Sequence, residues 1–346
     1  MLLTKSQVLE VLKGVIYFAK GDNIVSLGMI DDFETGEDEV KIRIIFPRLD
    51  EPAVNIVSNS AKKAIQDAFG AHVEVKITPV SEKEKGRGPL AGVRNIIAVA
   101  SGKGGVGKST VAANLAIALA RSGSKVGLVD ADIYGPSVPM MFGIGDEQPG
   151  VYEREGKPTI IPIEKYGIRL LSIGFFVDTE KALIWRGPMA TSALNQLLRD
   201  ADWGVLDYLV IDLPPGTGDI QLTLAQSYSI TGAIVVTTPQ KVAFADVKRA
   251  AAMFRQEKLT IPLLGLIENM AYFTPLDMPD KKYYIFGKGQ GESFADQLGI
   301  PLLGQIPLVE SISESGDKGS PIALDETSPV TKAFDKVALE IKKQVP

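Results

Sequence analysis

The sequence predicts an α/β protein: a mostly parallel sheet flanked by helices, preceded by a small α+β domain. Three observations carry this expectation. From Val93 onward, apolar strand-like runs alternate with helix-like segments, the pattern of repeated βα units that lay parallel strands side by side. One of these units encloses a glycine-rich loop, Ser101-Gly102-Lys103-Gly104-Gly105-Val106-Gly107-Lys108-Ser109-Thr110, set between the apolar run Asn95 to Ala100 and the periodic segment Val111 to Ala120. Ahead of it, residues 1 to about 80 carry a shorter pattern of their own, and the charged, Gly- and Pro-rich stretch Ser81 to Pro89 separates the two. The expected organisation is therefore 1–80 as a small α+β domain, 81–92 as a linker, and 93–346 as the α/β domain. With 346 residues, 45% of them hydrophobic, the chain is long enough for two cores.

Composition excludes several function classes. The net charge of −5 and the lack of a basic block give no support to nucleic-acid binding. There are no cysteines, so a disulfide framework, a zinc–cysteine site and a thiol nucleophile are all excluded. The segment Met1-Leu2-Leu3-Thr4-Lys5-Ser6 lacks the apolar stretch of a signal peptide, and no run approaches the ~18 apolar residues of a membrane span. A soluble cytoplasmic protein that binds neither membrane nor nucleic acid is expected. The single histidine, His72, lies in the alternating segment Ala71 to Ile77 and reads as a surface strand residue.

In the first domain, Ser6 is placed to cap a helix through Val8, Leu9, Val11 and Leu12. Strands are expected over Asn23 to Ile30 and Val40 to Phe46, with a charged turn around Glu34-Thr35-Gly36-Glu37. A helix over Ala53 to Phe69 and a strand over His72 to Ile77 complete an α-β-β-α-β order.

In the second domain the loop at 101–110 fits the phosphate-binding pattern by its spacing of Gly102, Gly107, Lys108 and Ser109. Glycines let backbone N–H groups approach phosphates closely, and the helix that follows points its positive end at them. Lys108 is suited to the β- and γ-phosphate oxygens and the Ser109 hydroxyl to Mg²⁺. Gly102, Lys103, Gly104, Gly105, Val106, Gly107, Lys108, Ser109 and Thr110 are the expected nucleotide-binding residues. The strand Lys125 to Val129 ends in Asp130-Ala131-Asp132, at the edge where such sheets bind ligands. Either acid can position a water or hold Mg²⁺, and either can instead cap a turn, a reading that weighs more for Asp130.

Arg169 to Ile173 is the next strand, and Trp185-Arg186-Gly187-Pro188-Met189 leads into a helix ending near Asp200. Arg186 reads as a surface or cap arginine. Tyr208-Leu209-Val210-Ile211-Asp212 is an apolar strand ending in a carboxylate suited to Mg²⁺, and Gly216 and Gly218 in the loop behind it permit rearrangement around a γ-phosphate. Asp219 is placed to cap a helix from Ile220. Strands follow at Ala233 to Thr237, Leu263 to Ile267 and Leu302 to Ile306, with helices at Ala243 to Gln256 and Val330 to Lys343. Asn269 is either a base-edge contact through its amide or a turn residue, and the loop carrying Pro307 is expected to pack against the base. The closing helix mixes Lys332, Lys336, Lys342 and Lys343 with Asp335 and Glu340, as a core-packing helix rather than a membrane-targeting one.

The loop with its extra lysine, Lys103, resembles the deviant form of the MinD, ParA and ArsA group of dimeric ATPases. That resemblance implies that Lys103 reaches across a dimer interface to the partner's nucleotide, and that Asp132, the second acid of Asp-x-Asp, positions the attacking water. The segments Asp130 to Ser137, Trp185 to Met189, Leu206 to Leu222, Thr238-Pro239-Gln240, Glu268-Asn269-Met270 and Gly304 to Leu308 together resemble the Mrp/ApbC family of P-loop ATPases. Asn23 to Ile30 is similar to the small N-terminal domain that these proteins share with other iron–sulfur assembly factors. Membership implies a Mg²⁺-dependent ATP-hydrolysing homodimer that binds [4Fe–4S] clusters and transfers them to apoproteins.

The chain departs from that family at one point. A Cys-x-x-Cys pair that bridges a cluster between protomers is usual shortly after Glu-Asn-Met, whereas this chain reads Ala271-Tyr272-Phe273-Thr274-Pro275-Leu276-Asp277-Met278-Pro279-Asp280. Clusters are held by cysteine thiolates, and carboxylates are poor substitutes for such soft ligands. Asp277 and Asp280 therefore read as surface-loop carboxylates, and cluster binding in the family's usual way is not expected. The leading expectation is a P-loop ATPase of iron–sulfur assembly, a carrier or a regulator that has lost the cluster ligands, in which Lys103, Lys108 and Asp132 serve catalysis and Ser109 and Asp212 serve the metal. The alternatives are an ATP-dependent dimerisation switch that recruits a protein partner without a metal, and, more weakly, a small-molecule kinase.

Overall fold

The computed structural model describes residues 3–36, 38–49, 51–81, 90–133, 135–154, 156–176, 187–256, 259, 261–275, 277–278 and 281–345. They form two compact units, Met1–Ala91 and Gly92–Pro346.

The first unit begins with α1 (Lys5–Leu12), capped by Thr4 rather than Ser6. Thr4 accepts from the Gln7 backbone N–H, and the Gln7 side chain accepts from that of Thr4, a reciprocal capping box. A two-residue pair, β1 (Ile16–Tyr17) and β2 (Asp22–Asn23), precedes β3 (Ile30–Thr35), β4 (Glu39–Phe46), α2 (Pro52–Phe69) and β5 (Glu74–Ser81). β3 runs antiparallel to β4, and β4 runs parallel to β5. α2 buries Val54, Val57, Ala61 and Ile65, spaced three to four residues apart along one face.

The strand expected over Asn23 to Ile30 is not formed. The Asn23 side-chain oxygen accepts from the N–H groups of Val25 and Ser26, which folds the segment into an Asx turn. Gly28 continues the turn at φ +63°. Ile24 and Met29 reach the core from this turn, so their burial needs no strand. The strand lies one segment later and absorbs Glu34 and Thr35 from the expected turn. His72 is exposed as expected, but sits in the turn before β5.

The second unit runs β6 (Val93–Ala100), α3 (Lys108–Arg121), β7 (Val126–Asp130), α4 (Val138–Met141), β8 (Gly150–Arg154), β9 (Lys157–Ile161), β10 (Ile163–Lys165), β11 (Ile168–Ser172), α5 (Gly187–Arg199), β12 (Leu206–Asp212), α6 (Asp219–Ser227), β13 (Gly232–Thr237), α7 (Ala243–Phe254), β14 (Leu263–Glu268), α8 (Gln290–Leu298), β15 (Leu302–Gln305), α9 (Glu310–Asp317) and α10 (Pro329–Gln344). Among the described residues the main sheet has the order β10-β11-β7-β12-β6-β13-β14-β15. Its neighbours are parallel except for the edge pair β10 and β11.

The central strands are buried on both faces, as parallel strands between helices must be. Ile97, Val99, Leu128, Val210, Ile234 and Val236 pack under α3 and α10, while Val235 and Leu266 pack under α7 and α8. A short hairpin, β8 with β9, lies outside the sheet and is mostly exposed; it is tied by Ile160 to Asp200 and Asp202. Trp185 and Arg186 fall outside the described residues, as do most of the linker and Asp280. No helix among the described residues is long and apolar enough to cross a membrane.

α10 closes this unit. Ser328 caps it by accepting from the Val330 N–H, and Phe334 is buried against α3. Both tryptophans of the chain belong to this unit, and Trp203 is buried, so tryptophan emission reports its unfolding. Phe334→Ala is expected to cost about 3–5 kcal/mol, read as a lower urea midpoint at unchanged slope. A loss under about 1 kcal/mol would contradict this packing.

Candidate nucleotide site

The site lies where the central strands end. β6 delivers the loop 101–107, and Gly107, in left-handed conformation at φ +78°, caps α3. The loop is held closely. A Cβ on Gly102 would stand 2.1 Å from the Asp246 carbonyl oxygen, and one on Gly107 2.2 Å from the Asn269 amide nitrogen. Only glycine fits at either position. The Ser101 hydroxyl donates to the Lys103 carbonyl at 2.9 Å, and the Ser101 carbonyl accepts from Gly216 N–H at 2.9 Å.

Three charged side chains meet at the start of α3. The buried Lys108 ammonium lies 2.6 Å from Asp212 Oδ1 and 3.4 Å from Asp132 Oδ2. It also approaches the Ser109 hydroxyl at 3.3 Å. β7 and β12 are adjacent and in register at Asp130 and Asp212, so the two strands end side by side. Burial raises the Asp212 pKa, and Lys108 and Ser109 oppose that shift. Asp212 Oδ2 is buried without a hydrogen-bond partner. With the Ser109 hydroxyl it forms a hard-oxygen pair suited to Mg²⁺.

Asp130 has different surroundings. It accepts from the N–H groups of Asp132 and Val138, each at 3.2 Å, and from the Ser172 hydroxyl at 3.0 Å. These bonds shape the turn from β7 into α4, whose cap residue Ser137 makes no side-chain cap bond. Burial, then the charge of Asp212, pushes the Asp130 carboxyl up to about 7.

Lys103 is half-buried and donates to the Gln240 side-chain oxygen at 3.3 Å. Beside the loop lies a cavity of 380 Å³, lined by Gly107, Asn269, Met270, Pro307, Leu308 and Ile312 among others. It brings Asn269 and Pro307 together in one lining. The Asn269 amide, however, donates to the Val106 carbonyl at 2.8 Å, so it braces the loop rather than standing free for a base edge. Met270 follows at φ +55°, a left-handed conformation that costs a non-glycine residue of order 1 kcal/mol or more.

Sequence reasoning missed Glu268. This buried carboxylate accepts from Gly291 N–H at 2.7 Å and from the Gln305 amide at 2.5 Å, tying β14 to α8 and β15. A lone acid at a strand end carries no signal of that role. The helix expected from Ile220 starts at Asp219, with Gly218 as its cap. Asp277 is exposed, and no group of three or more His, Cys, Asp or Glu residues suited to a metal occurs among the described residues.

A family model of NUBPL iron-transfer P-loop NTPases matches residues 92–342. The chain belongs to this family. A second model, of iron–sulfur cluster assembly proteins, matches residues 5–77. The chain is 42% identical to an iron–sulfur cluster carrier protein of Synechocystis over 99% of this chain and 98% of the relative. It is 55% identical to one of Aquifex aeolicus over 75% of this chain and 70% of the relative. Among solved structures it is similar to a nucleotide-binding protein of Archaeoglobus fulgidus in complex with ADP, with TM-score 0.61 and 36% identity over 73% of this chain and 96% of that one. The fold also matches the cell division ATPase MinD of Pyrococcus furiosus, with TM-score 0.52 and 24% identity over 72% of this chain and 99% of that one. The site is thus that of a nucleotide-binding P-loop NTPase in a family of iron–sulfur cluster carriers.

Asp130 makes stability depend on pH. Its carboxyl holds a proton in the folded chain up to about pH 7, but in the unfolded chain only to the ordinary 3.8. Between those values the folded state binds more protons, so stability falls as pH rises through the window. Urea unfolding without nucleotide or Mg²⁺ is expected to show this decline, on the order of a few kcal/mol, and Asp130→Asn to make it shallower. An unchanged slope in that variant would contradict the assignment.

Proposed function

We propose that this protein is a Mg²⁺-dependent ATPase of iron–sulfur cluster assembly that works as a homodimer on iron–sulfur apoproteins. The observation that carries the proposal is the Lys108 ammonium held between Asp212 and Asp132 at the head of the phosphate loop. Backbone N–H groups of residues 102 to 110 and the Lys108 side chain bind the triphosphate. Ser109 and Asp212 hold Mg²⁺, which supplies charge neutralisation at the phosphates. Asp132 orients the attacking water: its carboxylate is buried and within reach of Lys108, the side chain assigned to the phosphates. Pro307 and Leu308 form a wall of the base pocket, and Asn269 keeps that pocket in register with the loop. Positioning and electrostatic stabilisation carry the rate, because phosphoryl transfer needs little covalent chemistry from the protein.

Lys103 is assigned to the partner's nucleotide. Its bond to Gln240 is a neutral contact at 3.3 Å, which is worth little against a charged phosphate. The first unit is assigned to the assembly role that its family match suggests. The cluster is cargo. Without any cysteine, this chain has no thiolate to hold it, so the thiolates come from the client or from another assembly protein.

ATP turnover and nucleotide affinity test the site. Lys108→Ala is expected to lose ATP binding, and Asp132→Ala to keep binding within a few-fold while turnover falls at least a hundredfold. Tight ATP binding by the first variant, or undiminished turnover by the second, would overturn these roles.

A further inference from the structure

Gln221 stands in the first turn of α6 and is 2% exposed. Its side-chain amide donates twice, to the Pro214 carbonyl at 2.9 Å and to the Pro215 carbonyl at 3.2 Å. Those prolines follow Asp212 almost directly. Proline has no N–H, so this stretch can be fastened only through its carbonyls. The loop is fastened at two further points: Leu213 N–H donates to the Val99 carbonyl at 3.0 Å, and Gly216 N–H to the Ser101 carbonyl at 2.9 Å. Gly216 takes φ +90°, a turn that glycine adopts without strain. The loop from Leu213 to Gly218 thus hangs between the end of β6, the start of the phosphate loop and one buried amide.

We infer that Gln221 is a positioning residue for ATP hydrolysis: by holding the two proline carbonyls it fixes the loop behind Asp212, and with it the Asp212 carboxylate and the backbone that faces the terminal phosphate. The inference rests on the ATPase reading of this site. Gln221 touches neither nucleotide nor metal. It is a side chain with two donors on one nitrogen, the number needed to satisfy two successive carbonyls, the first of them buried. Alanine leaves both carbonyls without a partner. Glutamate sets a carboxylate against them. Methionine keeps the side-chain length and packing but has no donor.

The consequence is a loss in turnover rather than in affinity. The phosphate loop and base pocket bind the nucleotide without Gln221, whereas a displacement of about 1 Å at the reacting groups costs on the order of a hundredfold in rate. The experiment measures kcat for ATP, Kd for ADP and the thermal midpoint in wild type, Gln221→Met, Gln221→Glu and Lys108→Ala. For Gln221→Met the expected result is kcat lowered tenfold to a hundredfold, with ADP affinity within about twofold and the midpoint lowered by only a few degrees. Gln221→Glu is expected to lose at least as much. Wild-type kcat in Gln221→Met, or ADP affinity lost in step with kcat, overturns the positioning role. Absence of turnover in wild type overturns the ATPase reading itself, and turnover that survives in Lys108→Ala overturns its placement at this site, which separates those failures from that of the positioning role.

Discussion

The ion cluster of Lys108, Asp212 and Asp132 is the constraint on which the rest of the site depends. A buried charge without a partner costs several kcal/mol, so each of these groups needs the others in place. Three elements deliver them: α3 brings the lysine, β12 brings Asp212, and the turn after β7 brings Asp132. Their meeting requires β7 and β12 to be neighbours in register, which the sheet order provides. Asp130 would add another negative charge beside Asp212. Its raised pKa relieves that repulsion, and three hydrogen bonds put the carboxyl to use in shaping the turn.

The phosphate loop is braced from outside along its length. Gly102 lies against the Asp246 backbone, the Ser101 carbonyl takes a bond from Gly216, and the Val106 carbonyl takes one from Asn269. Each brace comes from a different segment: α7, the loop behind Asp212, and the turn after β14. The turn after β14 also lines the cavity through Asn269 and Met270, and Glu268 anchors it to α8 and β15. The cavity and the phosphate loop therefore form one body. Such preorganisation spares the reaction the cost of arranging dipoles when charge develops.

The second unit was the more legible from sequence. Its strands are buried on both faces and read as continuous apolar runs such as Ile96 to Ala100 and Leu209 to Ile211, and its glycine loop has a spacing that few other structures require. The segment Asn23 to Ile30 misled because apolar residues can reach a core from a turn, and an Asx bond from Asn23 competes with strand pairing. The hairpin of β8 and β9 has mostly exposed faces, so no burial pattern marks it. Helices α8 and α9 carry little sequence signal either: both are short and polar, and α9 buries no residue. Within the site, the residue types of Lys108, Ser109, Asp132 and Asp212 announced themselves. The bracing roles of Asn269, Glu268 and Gln221 did not, because each depends on a backbone carbonyl or N–H far away in sequence. Hydrogen bonds from side chain to remote backbone leave no periodic trace.

The ATPase proposed here has no thiolate of its own on which to hold a cluster. The most direct measurement is anaerobic reconstitution with iron and sulfide, read by visible absorption and iron content, with ATP turnover assayed on the same sample. The account predicts a colourless protein with iron well below one cluster per dimer and ATP turnover intact. A stably bound cluster with stoichiometric iron and sulfide, or a cluster-free sample without turnover, would contradict it.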